Sequence, residues 1–98
     1  MANGNYRDSA LRTIRLESEA VAAMSFHIDD HFDAACEIFM SCSGRAVVIG
    51  MGKSGHVANK VAATLASTGT PAFFVHPGEA SHGDIGMITK DDAVLAIS

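Results

Sequence analysis

The chain has 98 residues, 48% of them hydrophobic and 18% charged, with a net charge of -4. A chain of that size buries roughly 60–65% of its unfolded surface, enough for one small core, and a composition with nine glycines and two prolines excludes the collagen-like and disordered classes. The apolar runs Ala46–Ile49 and Ala93–Ile97 fall well short of the roughly 18 residues of a membrane helix. No Lys/Arg tract offers the clustered face that binding to nucleic acid requires, so neither a membrane nor a nucleic acid is an expected partner. The N-terminal residues lack the apolar stretch of a secretion signal, and a cytoplasmic location is the expectation.

Apolar or small residues recur from Leu11 through Ile14, Ser18, Val21, Met24, Ile28, Phe32, Ala35 and Phe39, in the steps of three and four that mark a helical stripe. Asp29 and Asp30 interrupt it as candidate N-caps, which predicts two helices, over residues 8–27 and 30–42, with Gly44 as the stop. Cys36 and Cys42 lie six apart in the second helix, where they are turned about 240° from each other. They are expected to be unpaired and reduced. No chemistry is assigned to residues 1–44, which form the helical part of the expected organisation, with residues 45–98 forming an α/β part.

After Gly44 the period changes. Residues 45–49 are short, apolar and β-branched, as in a strand covered on both faces. Gly50–Gly55 follow, then an alanine-rich helix over residues 56–67, a Thr-Gly-Thr-Pro break and a second strand over residues 72–75. This is a strand–loop–helix–strand unit of the length of a parallel crossover. The polar run His76–Asp84 occupies the place just past a strand's carboxyl end where open α/β sheets carry ligand groups. A third strand is expected over residues 93–97.

Gly50, Gly52 and Gly55 satisfy G-x-G-x-x-G between a strand and a helix, a context in which backbone N–H groups and the helix dipole favour a phosphate oxygen. A dinucleotide site would also carry an acid at the end of the second strand, where this chain has His76. A nucleotide P-loop would need a glycine where Val47 stands. A plain strand-to-helix turn leaves unexplained why Lys53, a cation, sits where backbone donors already favour an anion. A phosphosugar site is a further reading, in which the helix N-terminus and Ser/Thr hydroxyls hold a phosphate while Lys53 and the histidines of the next loop face the sugar.

Three segments in order carry a resemblance: Gly50-Met51-Gly52-Lys53-Ser54-Gly55-His56, then Ala66-Ser67-Thr68-Gly69-Thr70-Pro71, then Phe74-Val75-His76-Pro77-Gly78-Glu79-Ala80-Ser81-His82-Gly83-Asp84. Over residues 44–98 the chain resembles the sugar-isomerase (SIS) domain of bacterial arabinose 5-phosphate isomerases. The resemblance implies an α/β, three-layer α-β-α parallel sheet in flavodoxin-like order, preceded by two N-terminal helices and ending after its third strand. It implies an enzyme that interconverts D-ribulose 5-phosphate and D-arabinose 5-phosphate through an enediol, supplying the Kdo of lipopolysaccharide, with no redox cofactor.

By the same resemblance Lys53 and His82 belong to the active site, Lys53 stabilising charge on substrate oxygens and His82 contacting a substrate hydroxyl or moving a proton. Gly52, Ser54, Gly55, His76 and Glu79 are candidates for lining the substrate, and Ser98 stands where relatives begin a serine-rich phosphate loop. His76, Glu79 and His82 also have ligand chemistry suited to zinc, but a Pro-Gly turn splits the set and no required metal is expected. The family implies a homotetramer and further strands, so the 98 residues alone are expected to be inactive. A non-catalytic sugar-phosphate sensor is the alternative. Sensors of that kind carry a basic helix-turn-helix upstream, whereas residues 1–44 are net acidic, which favours the enzyme.

Overall fold

The computed structural model describes residues 4–80 and 83–98, the side chains of Glu79 and Ala80 excepted. The chain forms two compact units, one up to Ala35 and one over Cys36–Ser98. Among the described residues of the first are α1 (Tyr6–Ala23), a 3₁₀ turn (Met24–His27) and the start of α2 (Asp30–Ser41). Asp29 caps α2: its Oδ1 accepts the His31 N–H at 2.9 Å, and its carbonyl oxygen accepts the Phe32 N–H at 3.0 Å. This is what an aspartate just before a helix does for otherwise unsatisfied donors. The stripe is interrupted between the two helices: the end of the first tightens into the 3₁₀ turn and Ile28 is extended, so α1 ends four residues before the predicted limit.

The second unit is a three-stranded parallel sheet of β1 (Ala46–Gly50), β2 (Ala72–Val75) and β3 (Ala93–Ile97), in the order β2-β1-β3. That is an α/β fold, with the opening order of a flavodoxin-like sheet. The register sets Ala46 beside both Ala72 and Ala93, and Ile49 beside Val75 and Ala96. Central β1 is covered on both sides: Val47 and Val48, whose side chains project to opposite faces, are both 0% exposed. On one face Val48 packs with Ala58 and Ala62 of α3 (Gly52–Ser67), with Val61, Leu65, Ala72, Phe74 and Ile97 around them. The small alanines bring the helix close to the sheet. β3 is less covered, with Val94 48% and Leu95 36% exposed.

Asp92 fastens the amino ends of the strands. Its Oδ1 accepts the Arg45 N–H at 2.7 Å and its Oδ2 the Thr89 N–H at 2.8 Å. These two backbone bonds, the one from Arg45 first, hold the carboxyl below the usual aspartate range, because a carboxylate that accepts N–H bonds is favoured in its charged form. Gly44 donates to the Asp91 carbonyl at 2.8 Å, and a Cβ at Gly44 would collide with Asp92 Oδ1. The glycine expected as a helix stop therefore also gives room to this clamp. Arg45 extends it, donating to the Met87 carbonyl at 2.9 Å with its guanidinium 4.3 Å from the Phe73 ring centroid.

The second unit departs from the sequence expectation at the glycine loop and again after β2. α3 begins at Gly52 rather than His56, because Gly52 adopts φ +58°, a conformation open to glycine, and starts the helix inside the glycine loop. The Pro77–Ala80 segment, expected as loop, forms one helical turn, α4, with proline at the first helical position, where its missing N–H costs nothing. Cys36 and Cys42 are both free thiols, and no helix of the described residues is long and apolar enough to cross a membrane.

Candidate phosphosugar site

With β2 on one side of β1 and β3 on the other, the chain reverses its direction of travel across the sheet between β1 and β3, and ligands of open α/β sheets bind outside the strands' carboxyl ends at such a point. A cleft of about 320 Å³ lies there, lined by Ile49, Gly50, Met51, Ser54, Pro77, Ala96, Ile97 and Ser98. Two hydroxyls, those of Ser54 and Ser98, interrupt a lining that is otherwise mostly apolar. One comes from the first turn of α3 and the other follows β3.

The amino end of α3 opens beside this cleft. Its N-cap residue, Met51, is extended and supplies no side-chain cap. The first main-chain bond of the helix runs from Gly55 N–H to the Met51 carbonyl at 3.2 Å, which leaves the amides of Gly52, Lys53 and Ser54 without an intrahelical acceptor. No acidic residue occupies the first turn, and Lys53 is exposed. Free N–H groups and the positive end of the helix dipole therefore meet here, with a lysine in the same turn, the chemistry that receives a phosphate or another oxyanion.

The three glycines of the loop have different tasks. A Cβ at Gly50 would lie 2.6 Å from the Ser54 carbonyl oxygen, and one at Gly55 would lie 2.8 Å from that of Gly50, so strand and helix touch backbone to backbone. At Gly52 a Cβ would meet nothing within 4 Å, and only the positive φ calls for glycine. Gly55 is buried and its N–H is already bonded to Met51. The Gly55 amide therefore already has an acceptor inside the fold, whereas the Gly52 amide has none within the helix, and the missing Cβ of Gly55 lets the helix approach the strand.

His76 leaves β2 next to where Gly50 ends β1, one step beyond the Ile49–Val75 pair. Its ring meets that of Phe74 edge-on, with centroids 6.5 Å apart, and Phe74 Cζ lies 3.7 Å from the Cβ position of Gly55. Imidazole, phenyl ring and the first turn of α3 thus form a continuous sequence of neighbours. The Gly78 N–H donates to His76 Nδ1 at 3.0 Å.

Ser54 and Ser98 come together at the cleft; Lys53 and Gly52 belong to the adjoining helix end, and His76 to the neighbouring strand end. His82 lies outside the described residues, as does the Glu79 side chain. Sequence reasoning missed the apolar lining, above all Met51 and Pro77. The glycine loop could have signalled Met51, the one apolar residue within it, and only the position of Pro77 between His76 and Gly78 hinted at its place.

The arabinose 5-phosphate isomerase KdsD of Pseudomonas aeruginosa is 64% identical over 96 residues, a match covering 98% of this chain and 29% of that protein. The enzyme of the same name from Yersinia pestis is 55% identical over 94 residues, covering 96% and 29%. The chain thus spans less than a third of the length of these curated relatives. Among solved structures, an Escherichia coli CFT073 protein in complex with arabinose 5-phosphate superposes with a TM-score of 0.78 at 45% identity, covering 96% of this chain and 52% of that one. Residues 39–98 match the SIS domain, and with more than half its length so matched, the chain belongs to the SIS domain family.

Proposed function

We propose that this chain is the amino-terminal part of a phosphosugar aldose–ketose isomerase that interconverts D-arabinose 5-phosphate and D-ribulose 5-phosphate, a cytoplasmic enzyme supplying the Kdo precursor. The observation that carries the reading is the uncapped amino end of α3, with Lys53 in its first turn and Ser54 lining the cleft between β1 and β3. Relatives named for this isomerisation and a neighbour in complex with arabinose 5-phosphate support the choice of sugar phosphate.

The reaction moves a proton between C1 and C2 through an enediol while a hydroxyl proton crosses to the former carbonyl oxygen, so substrate and product are at the same oxidation level. Its barrier lies in the charge that collects on the two oxygens as the carbon proton leaves, and fixed positive groups aimed at those oxygens lower it. Lys53 is assigned that stabilising role. The Gly52 amide, Ser54 and Ser98 are assigned to oxygens of the sugar or its phosphate, His76 and Glu79 to substrate contact, and His82 to a hydroxyl contact or proton transfer. Gly55 acts by holding the loop in place.

The acting species is a homotetramer of a longer chain, and the 98 residues by themselves are inactive. The test is to express the whole open reading frame containing this chain and follow interconversion of the two pentose 5-phosphates. Turnover is the expected result. Binding of D-arabinose 5-phosphate without turnover would overturn the isomerase in favour of a sensor.

A further inference from the structure

His76 has two ring nitrogens, and the fold occupies one of them. Nδ1 receives the Gly78 N–H at 3.0 Å, and a nitrogen that accepts a hydrogen bond carries no proton, so the ring is neutral with its proton on Nε2. The ring is held from a second side by its edge-on contact with Phe74, which itself lies against the first turn of α3. What remains for a ligand is a single group, the Nε2–H, which can donate and cannot accept.

We propose that His76 is a neutral hydrogen-bond donor to an oxygen of the sugar phosphate, with its tautomer fixed by the Gly78 amide, and that it does not take the substrate's carbon proton. This rests on the phosphosugar reading above and adds to it the atom, the protonation state and the direction of the bond. A base at this position would need a free nitrogen lone pair. The Gly78 bond occupies the one at Nδ1, and the proton occupies Nε2. A donor fixed in this way needs no reorganisation when an oxygen arrives, which favours binding through orientation.

The experiment uses the full-length protein labelled with ¹⁵N-histidine, with His76 assigned from the signal lost in His76→Asn. Long-range ¹H–¹⁵N correlation at neutral pH is expected to give an unprotonated Nδ1 and a protonated Nε2, and addition of D-arabinose 5-phosphate is expected to shift Nε2. A protonated Nδ1, an imidazolium pattern, or an Nε2 signal indifferent to saturating sugar phosphate would overturn the proposal. In the same variant the Asn side-chain oxygen can still accept the Gly78 N–H, as asparagine does in turns, while the outward donor is lost. KM is expected to rise about tenfold, the weight of one hydrogen bond, with the pH limbs of kcat unmoved. An unchanged KM, or loss of the acidic limb that a general base would give, would overturn it. A wild-type protein that shifts Nε2 on binding but does not isomerise the sugar would refute the isomerase and support the donor, so the two failures are distinguishable.

Discussion

The carbonyl oxygen of Gly50 lies 2.8 Å from the point where a Cβ at Gly55 would stand, and a Cβ at Gly50 would be 2.6 Å from the carbonyl oxygen of Ser54. Real Cβ atoms do not approach backbone so closely, so either substitution must push β1 and α3 apart, whereas Gly52 has open space and only an unfavourable φ. Gly50→Ala and Gly55→Ala in the full-length protein are therefore expected to lose about 1–3 kcal/mol by overpacking and to weaken arabinose 5-phosphate binding as the loop moves. Gly52→Ala is expected to lose about 1 kcal/mol. Urea unfolding of the three variants checks the order, and a Gly52→Ala variant less stable than Gly55→Ala would contradict it.

That contrast also marks what the sequence could and could not disclose. The G-x-G-x-x-G spacing between a β-branched run and an alanine-rich run identified a strand, a loop and a helix. It could not say which glycine serves conformation and which serves contact, because the contact is between residues whose distance depends on how α3 settles on Val48 through Ala58 and Ala62. The same limit hid the start of α3. Glycine reads as a helix breaker in a sequence, yet a single glycine at φ +58° begins this helix. The clamp at Asp92 was invisible for another reason: its partner Arg45 is 47 residues away, and a turn aspartate looks the same with or without one.

Lys53 is exposed and has no hydrogen bond or ion pair among the described residues, so its removal leaves no buried group unsatisfied. Lys53→Ala is expected to lower kcat by roughly 100-fold or more, the scale of losing one charge-stabilising group, while the melting temperature stays within about a degree of wild type. Steady-state rates with D-arabinose 5-phosphate, set beside a thermal scan, separate these quantities. Wild-type turnover would remove Lys53 from the site, and a collapsed melting temperature would make its role one of stability.

Asp92 sets a pH dependence at the opposite end of the sheet. Its carboxyl is held below the ordinary value of 3.8 by the Arg45 and Thr89 amides. A depressed carboxyl contributes stability that is fully present above the unfolded value and is lost as pH falls through the folded one. Unfolding of the wild type is therefore expected to become easier on acidification from about pH 4 downward. In Asp92→Ala stability should be lower at neutral pH and that part of the acid dependence absent. Parallel acid limbs for the two proteins would show that the clamp does not titrate with folding.

The 98-residue chain taken alone offers a last test, resting on β3. Successive strand residues face opposite sides of a sheet, so Val94 at 48% and Leu95 at 36% exposure present apolar surface on both faces of a strand that pairs with β1 on one side. Parallel strands are ordinarily buried on both faces, and an apolar strand with an open edge pairs readily with other chains. The isolated chain is expected to be inactive toward D-arabinose 5-phosphate and to self-associate as its concentration rises, with Val94→Lys reducing the association by placing charge on one face. Light scattering across a concentration series reads this. A chain that stays monomeric at high concentration would show that the covering of β3 is already sufficient, and one that turns over the sugar would show that residues 1–98 hold the whole reaction.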